Sequence, residues 1–138
     1  YADDFDMVCG TRTYPGLVAE NANMRWYLRL GNYFVAKLLE VMYWTPALSD
    51  CGCTFRMINL EPLKKIRGDL YVGKSHFLPH WVITAHKAGV SFIEIPLTYR
   101  GRTGESKITG TFPGMVRTAL AMLGIMFAMW PGYVFRSR

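Results

Sequence analysis

An α/β fold is the class this sequence predicts. Three observations carry it: short apolar segments of strand character, helical periodicity in the stretches between them, and a strand, helix, strand order along the chain. Half of the 138 residues are hydrophobic and 14% are aromatic, so the chain can build a core and disorder is not expected.

Taken in order, Phe5 to Arg12 reads as a short buried strand ending at a glycine and a cation. Pro15-Gly16 marks a turn into a polar surface loop. From about Asn23 to Tyr43 apolar residues recur at helical spacing, broken at Gly31, with Arg25, Arg29 and Asn32 on one face, and Thr45-Pro46 ends the helix. Cys53 to Ile58 has strand character after a turn at Gly52. Leu60 to Ile66 predicts a short helix, with Pro62 tolerated in its first turn and Gly68 after its end. Another helix runs from near Pro79 to Lys87, stops at Gly89, and feeds a strand from Val90 to Tyr99 in which Phe92 and Glu94 share one side. The basic turn Arg100 to Lys107 follows directly, at the strand end where open α/β sheets bind ligands.

The last segment bears on location. The 18 positions from Thr118 to Phe135 carry no charge and are bracketed by Arg117 and Arg136. Pro131-Gly132 is expected to interrupt the run, leaving a helix from Ala119 to Trp130 of roughly 18 Å, too short to cross a hydrocarbon core of about 30 Å. Met115, Met122, Met126 and Met129 on one side, with Trp130 and Tyr133 near the end, fit an interfacial helix, or a core helix or oligomer contact.

A formal charge of +6, from 16 Lys and Arg against 10 Asp and Glu, predicts attraction to phosphates in nucleotides, lipid headgroups or nucleic acid. Aromatics confined to apolar runs argue against a single-strand nucleic-acid binder. Cys9, Cys51 and Cys53 read as reduced, partly buried thiols of a cytosolic compartment. The chain opens at Tyr1 inside a polar run, without an initiator methionine or a secretory signal, and is expected to be a piece of a longer protein.

Several groups of residues have the makings of chemistry. Asp4-Phe5-Asp6 has the spacing of a metal-holding acid pair, but it precedes its strand instead of following it, and reads as a solvated turn. Arg25, Arg29 and Asn32 with Arg12 supply the guanidinium forks that a diphosphate needs, or else form a solvated face. Ser49 to Arg56 places Asp50 before a small-residue turn, suited either to a carboxylate close to a ligand or to an Asp50 to Arg56 ion pair. Arg100, Arg102, Ser106 and Lys107 cluster in a Gly-containing turn whose amides can cradle phosphate oxygens. His76 and His80 have metal-ligand spacing without a third ligand, and read as packed or surface histidines.

In sequence order, the segments Phe5 to Arg12, Arg29-Leu30-Gly31-Asn32, Asp50-Cys51-Gly52-Cys53-Thr54-Phe55-Arg56, Ile93 to Arg100 and Arg102-Thr103-Gly104-Glu105-Ser106-Lys107 resemble the C-terminal half of family 2 glycosyltransferases of the dolichol-phosphate mannosyltransferase type. The resemblance covers nearly the whole chain. It implies residues 1–110 as the C-terminal portion of a GT-A catalytic domain, with 111–138 an amphipathic, juxtamembrane helical segment. It also implies transfer of a sugar from a nucleotide-sugar donor to a polyprenyl phosphate or related acceptor, at the cytoplasmic face of a membrane, in cell-envelope glycan synthesis. Arg12, Arg25, Arg29, Asn32, Arg56, Arg102, Ser106 and Lys107 would then face donor or acceptor phosphates, and Asp50 would lie beside the acceptor. A divalent metal, Mg or Mn, is expected in the full-length enzyme on ligands outside this chain, which alone is expected to be inactive. The pattern departs from the family at Leu28, Thr54 and His80, where serine, glycine and glutamate are usual. The rival expectation is a non-catalytic, membrane-peripheral module for anionic lipid, or an inactive paralogue; self-association stays open.

Overall fold

A computed structural model describes residues 4–14, 16–17, 26–98 and 112–134. Among them the elements run β1 (Met7–Thr11), α1 (Trp26–Tyr43), β2 (Arg56–Ile58), α2 (Leu60–Ile66) with a 3-10 turn at Arg67–Asp69, α3 (Phe77–Lys87), β3 (Phe92–Pro96) and α4 (Phe112–Val134). The chain is thus mixed α/β, with a small three-stranded mixed sheet, four helices, and a long apolar helix as the last of them.

Strand order is β2-β1-β3, with β1 antiparallel to β2 and parallel to β3. A central strand is flanked on both edges, and all five residues of β1 are buried, which explains why Met7-Val8-Cys9-Gly10-Thr11 is unbroken by charge. A Cβ at Gly10 would collide with the Leu97 side chain, so glycine lets the end of β3 close over β1. In register, Met7 faces Phe92 and Cys9 faces Glu94. Met7, Cys9 and Phe92 join the core with Val35, Leu39 and Tyr43 of α1, Val82 and Ile83 of α3, and Met122 and Met126 of α4.

Helix α1 runs through Gly31 without a break, because its buried stripe, Val35, Leu39 and Tyr43, offsets the roughly 1 kcal/mol that an interior glycine costs. It closes at Trp44, whose left-handed backbone (φ 55°) brings its N–H 2.7 Å from the Glu40 carbonyl. Helix α3 ends in a Schellman closure at Gly89 (φ 72°): Gly89 N–H donates to His86 O at 2.9 Å and Val90 N–H to Ala85 O at 3.0 Å.

The C-terminal helix corrects the expected stop at Pro131. It continues through Pro131 to Val134, giving 23 residues and a length of roughly 34 Å. A proline removes its own N–H from the ladder and crowds the carbonyl four residues back, a cost borne here in the last turn, which tertiary contacts hold in place. Tyr133 Oη donates to Tyr43 O at 2.7 Å, the two rings pack 5.0 Å apart, and Tyr43 Oη donates to Met126 O at 2.5 Å. One face of α4 thus packs on α1 and α3. Its other face leaves Phe112, Val116, Leu120, Phe127, Trp130 and Val134 exposed.

His80 is fully buried in α3, edge-on to Tyr71 at 4.6 Å, and neither ring nitrogen has a hydrogen-bond partner among the described residues. Burial, and secondarily the neighbouring His76, hold its pKa below the ordinary 6.5, and burial lowers His86 too. The unfolded chain therefore binds protons more readily. This contribution to stability is complete above pH 6.5 and is lost as pH falls below it, through the lowered folded values. We predict a urea midpoint that drops between pH 7 and pH 5, and a His80→Leu variant with a shallower drop and higher stability at pH 5, since an unsatisfied buried ring costs about 1–3 kcal/mol. An identical drop in the variant would exclude His80 as its source.

Candidate anion site at the end of the central strand

Parallel pairing of β1 with β3 sets their C-terminal ends side by side, and Leu97 N–H donates to Thr11 O at 2.9 Å to seal them. The segment carrying Arg100, Arg102, Ser106 and Lys107 begins just beyond this point, and those four residues lie outside the described ones, as does Arg25. Arg12, directly after β1, meets the turn that carries Asp50.

Asp50 is 2% exposed, so every hydrogen bond its carboxylate forfeits from water has to be replaced by the protein. Arg12 Nε donates to Oδ2 at 2.7 Å and Nη2 to Oδ1 at 3.0 Å, a bidentate fork. The backbone N–H groups of Arg12 and Gly52, each at 3.1 Å, complete the set, one to each oxygen. The expected alternative of an Asp50 to Arg56 pair is corrected here: Asp50 pairs with Arg12. Register explains it, because Arg56 stands opposite Cys9, short of the strand end, whereas Arg12 lies beyond it. Arg56 instead donates to Leu78 O at 2.6 Å and Cys51 O at 3.2 Å, with its guanidinium 5.7 Å from the Trp81 ring centre. It thereby ties α3 to the same turn.

Helix α1 brings the remaining described candidates. Arg29 Nη2 donates to Thr13 O at 2.9 Å, one residue from Arg12. Asn32 packs directly on Gly52, where any Cβ would strike its side-chain oxygen, so the glycine gives the Asn32 amide its place against the turn. Beside them opens a cavity of about 350 Å³ lined by Thr13, Trp26, Arg29, Leu30 and Tyr33, a cation and a backbone among apolar and aromatic walls. Arg12, Arg29, Asn32, Asp50 and Arg56, taken from four separate stretches of sequence, thus converge around residues 49–53.

Glu94, Thr11 and Thr13 were not among the expected site residues, and they join Ser49 here. The Glu94 carboxylate accepts from the N–H groups of Ser49 and Asp50 and from Ser49 Oγ at 2.6 Å. Ser49 Oγ in turn lies 2.8 Å from the hydroxyls of Thr11 and Thr13. An available signal was Glu94 itself, a charge on the same side of its strand as the buried Phe92.

Neither the three thiols nor Asp6, at the opposite end of β1, adds chemistry to this site. Burial raises the thiols of Cys9 and Cys53 and pushes Cys51 up to about 12, so all three are held as neutral thiols. Asp6 accepts from the Ser91 N–H at 2.9 Å and its Oγ at 2.8 Å, bonds that lower its pKa and clip the start of β1 to β3. Among the described residues no three His, Cys, Asp or Glu stand close enough to hold a metal. Comparison with protein-family models, with curated proteins and with solved structures returns no match.

Removing one partner of a buried ion pair strands the other. Asp50→Ala is expected to lower the unfolding free energy by about 3–5 kcal/mol, measured by urea titration; a loss under about 1 kcal/mol would mean that the pair is not buried in solution.

Proposed function

We propose that the chain is the phosphate-handling part of a membrane-associated GT-A glycosyltransferase, one that moves a sugar from a nucleotide-sugar donor onto a polyprenyl phosphate or related acceptor. The observation that carries this reading is the convergence of Arg12 and Arg29 at the end of β1 beside an open, apolar-walled cavity. An anionic head with a hydrocarbon neighbour suits such a lining: the Arg29 guanidinium for the phosphate, and Trp26, Leu30 and Tyr33 for the adjoining chain. In this reading the three strands belong to a larger GT-A sheet, and Mg or Mn on ligands outside the chain binds the donor diphosphate.

Asp50 supports one acceptor class over another. Both of its oxygens are engaged by Arg12 and by backbone N–H groups, so it is better placed to hold a cation than to remove a proton. A hydroxyl acceptor needs a base, whereas a phosphate oxygen is already anionic. The chain's own contribution is then electrostatic: fixed guanidinium groups offset charge on the acceptor phosphate and on the departing diphosphate.

Helix α4 is long and apolar enough for membrane association, though one face is committed to α1 and α3. We take it to lie along the cytoplasmic surface with Phe112, Val116, Leu120, Phe127 and Trp130 toward lipid. The same exposed stripe is what favours the second reading, a non-catalytic module for anionic lipid, and His80 in place of the usual glutamate favours an inactive paralogue. Sugar transfer separates these from the enzyme.

In the full-length protein, Arg29→Ala is expected to lower transfer from sugar nucleotide to polyprenyl phosphate by about tenfold or more, the loss of one charge-assisted hydrogen bond, with the folded state retained by circular dichroism. Unchanged transfer would remove Arg29 from the site; no transfer by the unaltered full-length protein, with vesicle binding intact, would favour the lipid module.

A further inference from the structure

We infer that Glu94 is the positioning residue from which both site cations are held. It rests on the reading of this strand end as an anion site and adds a residue to which no role has so far been given.

Proton direction orders this cluster. A carboxylate can only accept, and Ser49 Oγ has a single proton, which is spent on Glu94 Oε2 at 2.6 Å. Thr13 Oγ1 therefore donates to Ser49 Oγ at 2.8 Å, and the single Thr11 hydroxyl proton is shared between Ser49 Oγ and Thr13 Oγ1, each 2.8 Å away. Thr11 Oγ1 also accepts the Thr13 N–H at 3.2 Å. The Thr13 and Ser49 hydroxyls thus point in sequence toward Glu94, whose negative end fixes the order of the chain. At the far end of this branch, the Thr13 carbonyl accepts from Arg29 Nη2 at 2.9 Å.

A second branch leaves the same carboxylate. Glu94 Oε1 accepts the N–H groups of Ser49 and Asp50, both at 3.0 Å, and so pins the backbone that carries Asp50. Asp50 grips Arg12 through Nε and Nη2. One half-buried carboxylate on β3 therefore governs Arg12 through Asp50, and Arg29 through Ser49 and Thr13. Glutamine at this position would keep the shape but present an amide that cannot accept from all of these donors at once.

The branches can be cut separately, which gives the test. In the 138-residue chain, exchange of the guanidinium protons of Arg12 and Arg29 is followed by NMR in Glu94→Gln and in Ser49→Ala. Glu94→Gln is expected to speed exchange at both arginines; Ser49→Ala, which spares the Asp50 N–H bond, is expected to speed it at Arg29 and leave Arg12 as it was. In the full-length protein, Glu94→Gln is expected to raise KM for polyprenyl phosphate about tenfold or more while kcat falls by less. Unaltered exchange at both arginines in Glu94→Gln, or equal effects of Ser49→Ala on the two, would overturn the inference. Should Glu94→Gln fail to fold, the selectivity of Ser49→Ala decides alone. The expected exchange pattern without sugar transfer by any form of the full-length protein would leave Glu94 in its role and reject the glycosyltransferase reading.

Discussion

A carboxylate buried as completely as that of Asp50 has to be surrounded by enough donors to replace its water, and the local architecture follows from that requirement. Arg12 has to sit at the end of β1 so that its guanidinium and its own N–H both reach residue 50. The turn has to fold back so that the Gly52 N–H reaches Oδ1. Glycine at 52 leaves room for the Asn32 amide, which a Cβ there would displace. Isolated buried pairs are poor sources of net stability. This one is better understood as a device for orientation, because it holds a guanidinium rigidly at a strand end.

The same region is kept in place from behind by the core. Met7 and Cys9 on β1 anchor the strand among side chains of α1, α3 and α4, while Tyr43 and Tyr133 exchange contacts across the helix pair. The apolar helix α4 is therefore bonded to the helix that carries Arg29 and Asn32. In the proposed enzyme this would fix the anion site at a set height above the lipid surface, an arrangement suited to an acceptor whose phosphate is attached to a membrane-dissolved chain.

Local chemistry made much of the fold legible. Helix α2 has the bounds that Pro62 and the following glycine implied, and α3 stops where Gly89 adopts a left-handed backbone. The buried strand β1 follows from its unbroken apolar run. Long-range geometry was not legible. Pro131 reads as a stop until Tyr43 is seen bonded across it, and a pair between Asp50 and Arg56 stands as one of two alternatives until strand register sets Arg56 opposite Cys9. The site was visible as residue types, Arg12, Arg29, Asn32 and Asp50, but not as the hydrogen-bonded network joining them. Glu94 was hidden because alternation in a strand is read from its apolar residues, and a charge at an inward position is passed over unless a partner is in view.

The central claim is that Arg12 and Arg29 serve a common anion at the end of β1. An NMR titration of the chain with inorganic pyrophosphate tests it most directly, with amide and guanidinium shifts followed residue by residue. The account predicts saturable shifts concentrated at Arg12, Thr13, Arg29, Tyr33 and Gly52, weakening as salt is raised. Shifts spread evenly over exposed lysines such as Lys64, Lys65 and Lys74, with none at Arg12 and Arg29, would contradict it.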